Sequence, residues 1–554
     1  MTESRDVRRY VLAVLCVFAI GVAIRLAPLY WTPYPFNPDG FGFASVARTA
    51  LESGSIPSAN EHRMMGSQRY IFVSLLVLLS RITSLQPLWL AQPAIAVIGT
   101  IPALIVVLVV REIGIELGWP SRRTFIAATL AGVVLATEGL YLRRSVAVSY
   151  EVLGLLFIPA IALCLHRFFA TSRRSWLGIA GILLLVLPAT HHFSTVVAGV
   201  TLVVLVGIWI DRQPTLRIIA TGVAITVGFW AYLLLYYSQS PPPYTGLITT
   251  NPMLFIAWII AIVTLAYWFR MAQPSLTRGV FASIGLLGFG VLALNAVQPF
   301  FPSMSSTPLL LLVLVAPLIV LVVLMSWGLP IVVRLHYGPL VLALLIAPLT
   351  FIALSLTAGL SPQYFHLIQR TQTFVHLSAV IIAVVATFVL YDRVQDRSQS
   401  LRTIVQIGLP IILILVAVVT VPIAFVGLEA VSYQGTTTEA EFSTVTFAST
   451  MFSEPWTSDD HITRVENNYY GSEHNAGPEP VYNWLHGGTP PTCSTIAEDS
   501  WTTVGAQLFP ASPEQLSDER YANWQAENNI VYVSGAGGDR QVIVTPTGGS
   551  TASC

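Results

Sequence analysis

The sequence predicts an all-α polytopic membrane protein with about thirteen transmembrane helices, carrying a small C-terminal extracytoplasmic domain of mixed or mainly β structure. Three observations lead there. Of 554 residues, 54% are hydrophobic and 10% charged, whereas soluble domains average roughly 25% charged. Mean hydropathy is +0.70, so lipid must solvate most of the chain. The zero net charge conceals an asymmetry: residues 429–554 hold sixteen Asp/Glu against three Arg, and residues 1–428 hold twelve against twenty-five. An apolar, basic segment 1–428 is thus followed by an acidic, soluble segment 429–554.

A span needs about 20 apolar residues. Thirteen stretches qualify: 10–29, 87–110, 124–142, 152–169, 176–191, 193–210, 216–237, 252–270, 279–297, 308–327, 338–358, 372–391 and 403–428. The first follows Arg5, Arg8 and Arg9 but lacks a small-residue cleavage pattern, so it reads as an uncleaved span and not a signal peptide. Alternate connections carry Arg111, Arg122, Arg123, Arg167, Arg173, Arg174, Arg212, Arg217, Arg270, Arg278, Arg334, Arg393, Arg397 and Arg402. The short connections on the other side carry Arg143, Arg144 and Arg370. By the positive-inside rule the N-terminus is cytoplasmic and the C-terminal domain extracellular, in a multi-pass protein of the cell membrane. Residues 70–83 are apolar but too short for a span; counting them would place the arginine-rich connections outside. They read as a short interfacial helix in a long first outer loop, residues 31–86.

That loop opens with Pro33, Pro35 and Pro38 and reaches Asp39 in NPDG, a string that also suits a plain turn. FGFASVARTALES then reads as a short helix ended by Gly54. Phe43, Ala47, Ala50 and Leu51 share one face, suited to lying on a membrane surface. In the tail, EFSTVTF and NIVYVSG read as strands, and Cys493 and Cys554 can pair outside the cell. Cys16 and Cys164 read as packing residues, and no Cys/His metal pattern is present.

Polar residues against the membrane pattern mark candidate chemistry. Asp39 is the sharpest. Glu151 opens a span, where a carboxylate is either helix-dipole stabilised or functional. Glu138 suits pairing with Arg143 or Arg144. These two arginines break the charge rule and can bind phosphate through planar, multi-donor hydrogen bonds. His191, with His192, and Arg370 also fall at the outer face. Three classes remain open: an enzyme, a transporter or flippase of a lipid-linked sugar, and a membrane-anchored binding protein. No internal repeat points to a transporter, and thirteen spans exceed what an anchor needs. Nothing in the charge pattern suggests nucleic acid.

Together these pieces resemble the GT-C glycosyltransferases that use lipid-phosphate sugars, such as protein O-mannosyltransferases and the archaeal dolichyl-phosphate-mannose mannosyltransferases of S-layer N-glycosylation. The resemblance covers roughly residues 8–200 and the region of Arg370. RLAPLYWTPYPFNPDGFGFASVARTALESGSIP fits the family's first outer loop, with Asp39 as its acid; YIFVSLLVLL fits the short apolar helix after it, and VVREIG a basic inner loop. The family's second acidic position falls on Glu151, and Arg370 in FHLIQRTQTFVHL resembles an arginine preceding a late span. Asp39 has no adjoining second acid, and the tail lacks a WWDYG-type motif, with YNWLHGG its nearest string. The resemblance implies a GT-C-like catalytic domain over 1–428. Its donor would be a sugar, mannose in the nearest families, on dolichyl or another polyprenyl phosphate, and its acceptor a glycan or glycoprotein. Asp39 would be the catalytic residue, with Glu151, Arg143, Arg144, His191 and Arg370 binding substrate. It implies no definite cofactor and leaves use of a divalent metal open. The absence of lysine and the acid-rich tail also resemble proteins of extreme halophiles.

Overall fold

The computed structural model describes residues 2–58, 61–62, 64–239, 245–299, 306–393, 399, 403–425, 434–471, 473–509, 513–549 and 554. The first helices are α1 (Thr2–Leu26), α2 (Asp39–Ser53), α3 (Tyr70–Thr83), α4 (Pro87–Glu116), α5 (Ser121–Thr137), α6 (Gly139–Val146), α7 (Glu151–Thr171), α8 (Arg174–Val186) and α9 (His192–Arg212). Among the described residues eleven helices are long and apolar enough to cross a membrane, or twelve if the bent pair α5–α6 is one span. Among the described residues, twelve of the thirteen expected stretches coincide with these spans. The remaining one, expected at 176–191, is the 13-residue α8, shorter than the span predicted there.

Buried polar groups shape the first half of the bundle, where α1 packs on α4 and α5. Arg25 is fully buried. Its guanidinium donates to the Gly21 and Ala136 carbonyls and, at 2.6 Å, to Ser145 Oγ. Gln92 on α4 donates to the Arg25 and Val146 carbonyls. A charge removed from water persists only when partnered in this way, so Arg25 ties α1 to the α5–α6 bend. Glu138 makes that 61° bend. It takes extended backbone angles, accepts the Leu140 and Tyr141 N–H groups as the α6 N-cap, and lies 2.9 Å from His376. Its carboxylate is thus occupied by α6 and His376, not by Arg143 or Arg144 as the sequence suggested.

The helix axes sort the charges. α4, α7, α9 and Pro362–Arg393 all start at one end of the bundle. Their far ends bring together Arg123 with Asp392 (2.5 Å), Arg167 with Glu112 (3.6 Å), Arg270 with Asp211, and Arg212 with the Val333 and Leu335 carbonyls. Among the described residues Arg123, Arg167, Arg212 and Arg270 are thus held by acceptors at the ends of these helices.

α2 ends where expected, at Gly54 in the left-handed region (φ 77°) with its N–H on the Ala50 carbonyl. Its apolar face differs from expectation: Phe43 and Ala47 pack against Phe72 and Leu76 of α3 and Ile95 of α4, so protein covers them instead of lipid. α3 is the predicted 14-residue apolar helix.

The tail forms a four-stranded sheet of β1 (Trp456–Thr457), β2 (Ser494–Glu498), β3 (Asn529–Ser534) and β4 (Gln541–Thr545), ordered β1-β2-β4-β3 and antiparallel except for β1 on β2. The strand expected in NIVYVSG is present as β3. EFSTVTF instead lies in the helix Glu439–Met451, begun by a capping box in which Thr438 and Glu441 satisfy each other's backbone N–H. Cys493 and Cys554 are joined, with Cα atoms 5.1 Å apart.

Candidate functional site

The first loop and the α6–α7 connection are stitched together. The Val148 N–H donates to the Phe36 carbonyl at 2.8 Å, and the Phe36 N–H donates to Gln92 Oε1. Asn37 adopts φ 110°, a left-handed value rare for a side chain other than glycine. Its Oδ1 accepts the Asp39 N–H at 3.1 Å, its carbonyl accepts the Gly40 N–H at 2.9 Å, and its Nδ2 reaches the Val148 carbonyl at 3.4 Å. NPDG therefore does form a turn, closed by the Asn37 side chain, and Asp39 is the first residue of α2. Only glycine fits at position 40, since a Cβ there would lie 2.5 Å from Pro35 Cβ.

The other side of the stitch carries Tyr150 and Glu151. The Tyr150 ring lies 5.5 Å from Phe43, 4.8 Å from His191 and 6.3 Å from His192, centroid to centroid. Arg69, just before α3, places its guanidinium 5.4 Å from the centre of the Tyr150 ring. Burial pushes the Tyr150 hydroxyl above its ordinary value; Arg69 and Arg370 pull it back, and Asp39 adds to the rise. One phenol thus senses a carboxylate and two cations from three separate segments.

His191 N-caps α9: its Nδ1 accepts the Ser194 N–H at 3.2 Å and lies 2.6 Å from Ser194 Oγ. The charges acting on its ring include Arg370, Arg144 and Arg69. Close packing of α7 on α9 fixes this corner, because a Cβ on Gly154 would meet Ser194 Oγ at 1.9 Å. Glu151 is buried, 4% exposed, and its Oε1 has no hydrogen-bond partner among the described residues. Arg144 and Arg370 also act on His366, whose ring stacks 6.0 Å from Phe509 of the tail.

Of the residues singled out in the sequence, Asp39, Glu151, Arg144, His191 and Arg370 therefore gather at one end of the bundle. Arg143 lies half-buried on α6 beside Arg144. Sequence reasoning missed Arg69 and Tyr150. Arg69 carried a usable signal: it is an arginine on the outer side in the positive-inside reading, immediately before an apolar helix. Tyr150 carried none beyond adjoining Glu151. Among the described residues no three His, Cys, Asp or Glu side chains are grouped to hold a metal ion. The arrangement offers a carboxylate at a loop turn that is bonded to the segment carrying Tyr150, beside which Arg69 lies, and a carboxylate with guanidinium groups near it suits moving a proton beside an anionic leaving group.

No protein family and no curated protein matches the sequence. Solved structures do. An Archaeoglobus fulgidus oligosaccharyltransferase, crystallised in complex with Zn and sulfate, aligns with a TM-score of 0.52 and 13% identity, over 89% of this chain and 68% of that one. The archaeal oligosaccharyltransferase AglB from Archaeoglobus fulgidus, bound to an inhibitory peptide and a dolichol-phosphate, aligns at 0.48 and 13% identity over 96% and 74% of the two chains. ArnT from Cupriavidus metallidurans in the apo state aligns at 0.47 and 11% over 100% of both. The first of these shows that the chain shares the fold of that oligosaccharyltransferase, a helical membrane fold of the kind the sequence led us to expect.

Proposed function

We propose that this protein is a membrane glycosyltransferase, transferring a sugar from a dolichyl or other polyprenyl phosphate to a glycan or protein acceptor at the outer face of the cell membrane. The observation that carries this reading is the bond from the Val148 N–H to the Phe36 carbonyl, which joins the loop bearing Asp39 to the corner where the Arg69 guanidinium lies 5.4 Å from the Tyr150 ring. The shared fold with the oligosaccharyltransferase supports it, as does the GT-C-like order of the loops. Mannose is the sugar that the sequence resemblance favours. In this reading residues 1–428 are the catalytic membrane domain and 429–554 an extracytoplasmic domain, with the N-terminus in the cytoplasm.

The chemistry follows from the groups present. An acceptor hydroxyl is a weak nucleophile, and a carboxylate within hydrogen-bond reach makes it a better one. As the acceptor oxygen bonds to the anomeric carbon, its proton passes to Asp39. The bond from that carbon to the phosphate oxygen breaks, and the lipid phosphate departs with the electron pair. Attack opposite the leaving group inverts the anomeric centre. The phosphate gains charge as it leaves, and Arg69, Arg144 and Arg370, with Arg143 adjoining, favour that state over the bound donor. His191 fixes the α9 start against Tyr150, and Glu151 completes the acceptor side.

Mass spectrometry of surface glycans from a strain lacking the gene and its parent tests this reading. Loss of one sugar, restored by the parental gene and not by an Asp39→Asn copy, is expected. Identical glycans in the two strains would overturn it.

A further inference from the structure

Five contacts of the C-terminal domain fall on the loop and helix that carry Asp39. The Asn37 N–H donates to the Gly435 carbonyl at 2.7 Å. Asn468 Nδ2 donates to the Pro38 carbonyl at 3.0 Å. Thr32 Oγ1 donates to the Thr437 carbonyl, Ser45 Oγ donates to the Tyr469 carbonyl at 2.7 Å, and the Arg48 guanidinium sits 4.5 Å from the centre of the Tyr469 ring. Beneath these bonds Tyr34, Phe41, Ala44 and Leu88 form a single apolar cluster with Val465 and Tyr469.

The two residues preceding Asp39 are thus both held by the tail, Asn37 by Gly435 and Pro38 by Asn468. Asn37 sits at a positive φ, which for a non-glycine residue is strained and persists only when its surroundings over-determine it. Pro38 has no N–H of its own, and its carbonyl is shared between the Phe41 N–H of α2 and the Asn468 amide. Asn468 belongs to the helix Asp460–Tyr469, whose N-cap Asp459 accepts the Ile462 N–H and whose Tyr469 packs on α2. A capped, packed helix is a firm base from which to hold a loop.

We infer that the C-terminal domain sets the position of the Asp39 carboxylate, with Asn468 as the positioning residue acting through the Pro38 carbonyl. This rests on Asp39 being the proton acceptor in the reading above. Catalytic groups must be held to within about 0.5 Å, and displacement by about 1 Å can cost a hundredfold in rate. The arginines come from α6, from the residue before α3 and from Pro362–Arg393, so loosening the Pro38 turn leaves donor binding intact.

The test uses the full-length protein in lipid, with kcat and the donor KM measured for Asn468→Ala, Ser45→Ala and Asp39→Asn, and for Asn468→Ala combined with Asp39→Asn. Asn468→Ala is expected to lower kcat at least tenfold with the donor KM unchanged. Ser45→Ala, which removes a bond of the same interface away from Pro38, keeps the parental kcat. On the Asp39→Asn background Asn468→Ala has no further effect. A parental kcat for Asn468→Ala overturns the inference. So does an equal loss in Ser45→Ala, which would mark a general weakening of the interface, or a full multiplicative loss in the double variant. An active Asp39→Asn protein would instead remove the base assignment itself, whatever Asn468 does.

Discussion

The Val148 N–H donates to the Phe36 carbonyl at 2.8 Å, and this one bond joins the loop bearing Asp39 to the connection bearing Tyr150 and Glu151. Through it, residues separated by more than a hundred positions come to face the same guanidinium groups. The expectations below follow from that junction and from the domain packed over it.

The arginines differ in what they should do. The charges that bear on the His191 ring include Arg69, Arg144 and Arg370. Replacing any of the three by Gln should raise the donor KM roughly tenfold or more, since a hydrogen bond to a charged group is worth about 1.5–3 kcal/mol. Arg143→Gln should have a smaller effect. Steady-state kinetics with a polyprenyl-phosphate sugar distinguishes them, and unchanged donor KM in all three would remove the phosphate site from this end.

Sidedness can be read by labelling. Ser55 is exposed beyond α2, and Arg173 is exposed between α7 and α8. A membrane-impermeant maleimide should label Ser55→Cys in intact cells and Arg173→Cys only after permeabilisation. The reverse pattern would invert the bundle.

How far the sequence went depends on the kind of signal. Helices such as α4 and α9 were legible because lipid demands long apolar runs, and the arginines sorted their ends. The α2–α3 loop was legible from length alone, since fourteen residues are too few to span. EFSTVTF misled because alternating Thr, Val and Phe mimic a strand; the Thr438 and Glu441 spacing was the stronger cue, and packing of Val445 and Ala448 on the sheet favours the helix. Loop order singled out Asp39, Glu151, Arg144, His191 and Arg370 as candidates before any contact among them was known. Arg69 was missed because only the short loops were surveyed for arginine. The hold of Asn468 on Pro38 spans 430 residues and leaves no local trace.

The disulfide gives a direct count. Cys493 and Cys554 are paired, and Cys16 and Cys164 are free. Denatured, unreduced protein should show two titratable thiols, and reduced protein all four cysteines. Closing a loop across a separation of 61 residues is worth about 4 kcal/mol in the chain-entropy account, so reductant should lower the melting temperature of the tail. Four thiols without reductant would contradict the pairing.

A buried acid cluster makes the tail pH-sensitive. Burial pushes the His461 ring down, but the Glu441 carboxylate 3.7 Å away outweighs it and holds the imidazole above its usual value. Burial, with Glu441 and Asp459 beside it, pushes the Glu498 carboxyl well up. The His461 contribution is complete below about 6.5, the unfolded value, and is lost as pH rises through the raised folded value. Glu498 works in the same direction, because above about 4.3 the unfolded chain releases a proton that the folded domain retains. Glu441 lies below its usual range, so it acts only at acid pH. Amide hydrogen exchange in Asp460–Tyr469, corrected for intrinsic rates, should show less protection at about pH 8 than at about pH 6, with Glu498→Gln reducing the difference. Equal protection at both would set this account aside.

The central claim is that Asp39 removes the acceptor proton. Asn at this position preserves turn propensity and nearly the same shape, but it takes no proton at neutral pH. The decisive measurement is the rate at which purified Asp39→Asn protein, reconstituted in lipid, transfers labelled sugar from a polyprenyl phosphate to membranes of the deletion strain. A loss of roughly 10²–10⁴-fold is expected, with folding and donor KM unchanged. Transfer near the parental rate would contradict the account and leave Glu151, buried with an unpartnered oxygen, as the carboxylate to examine.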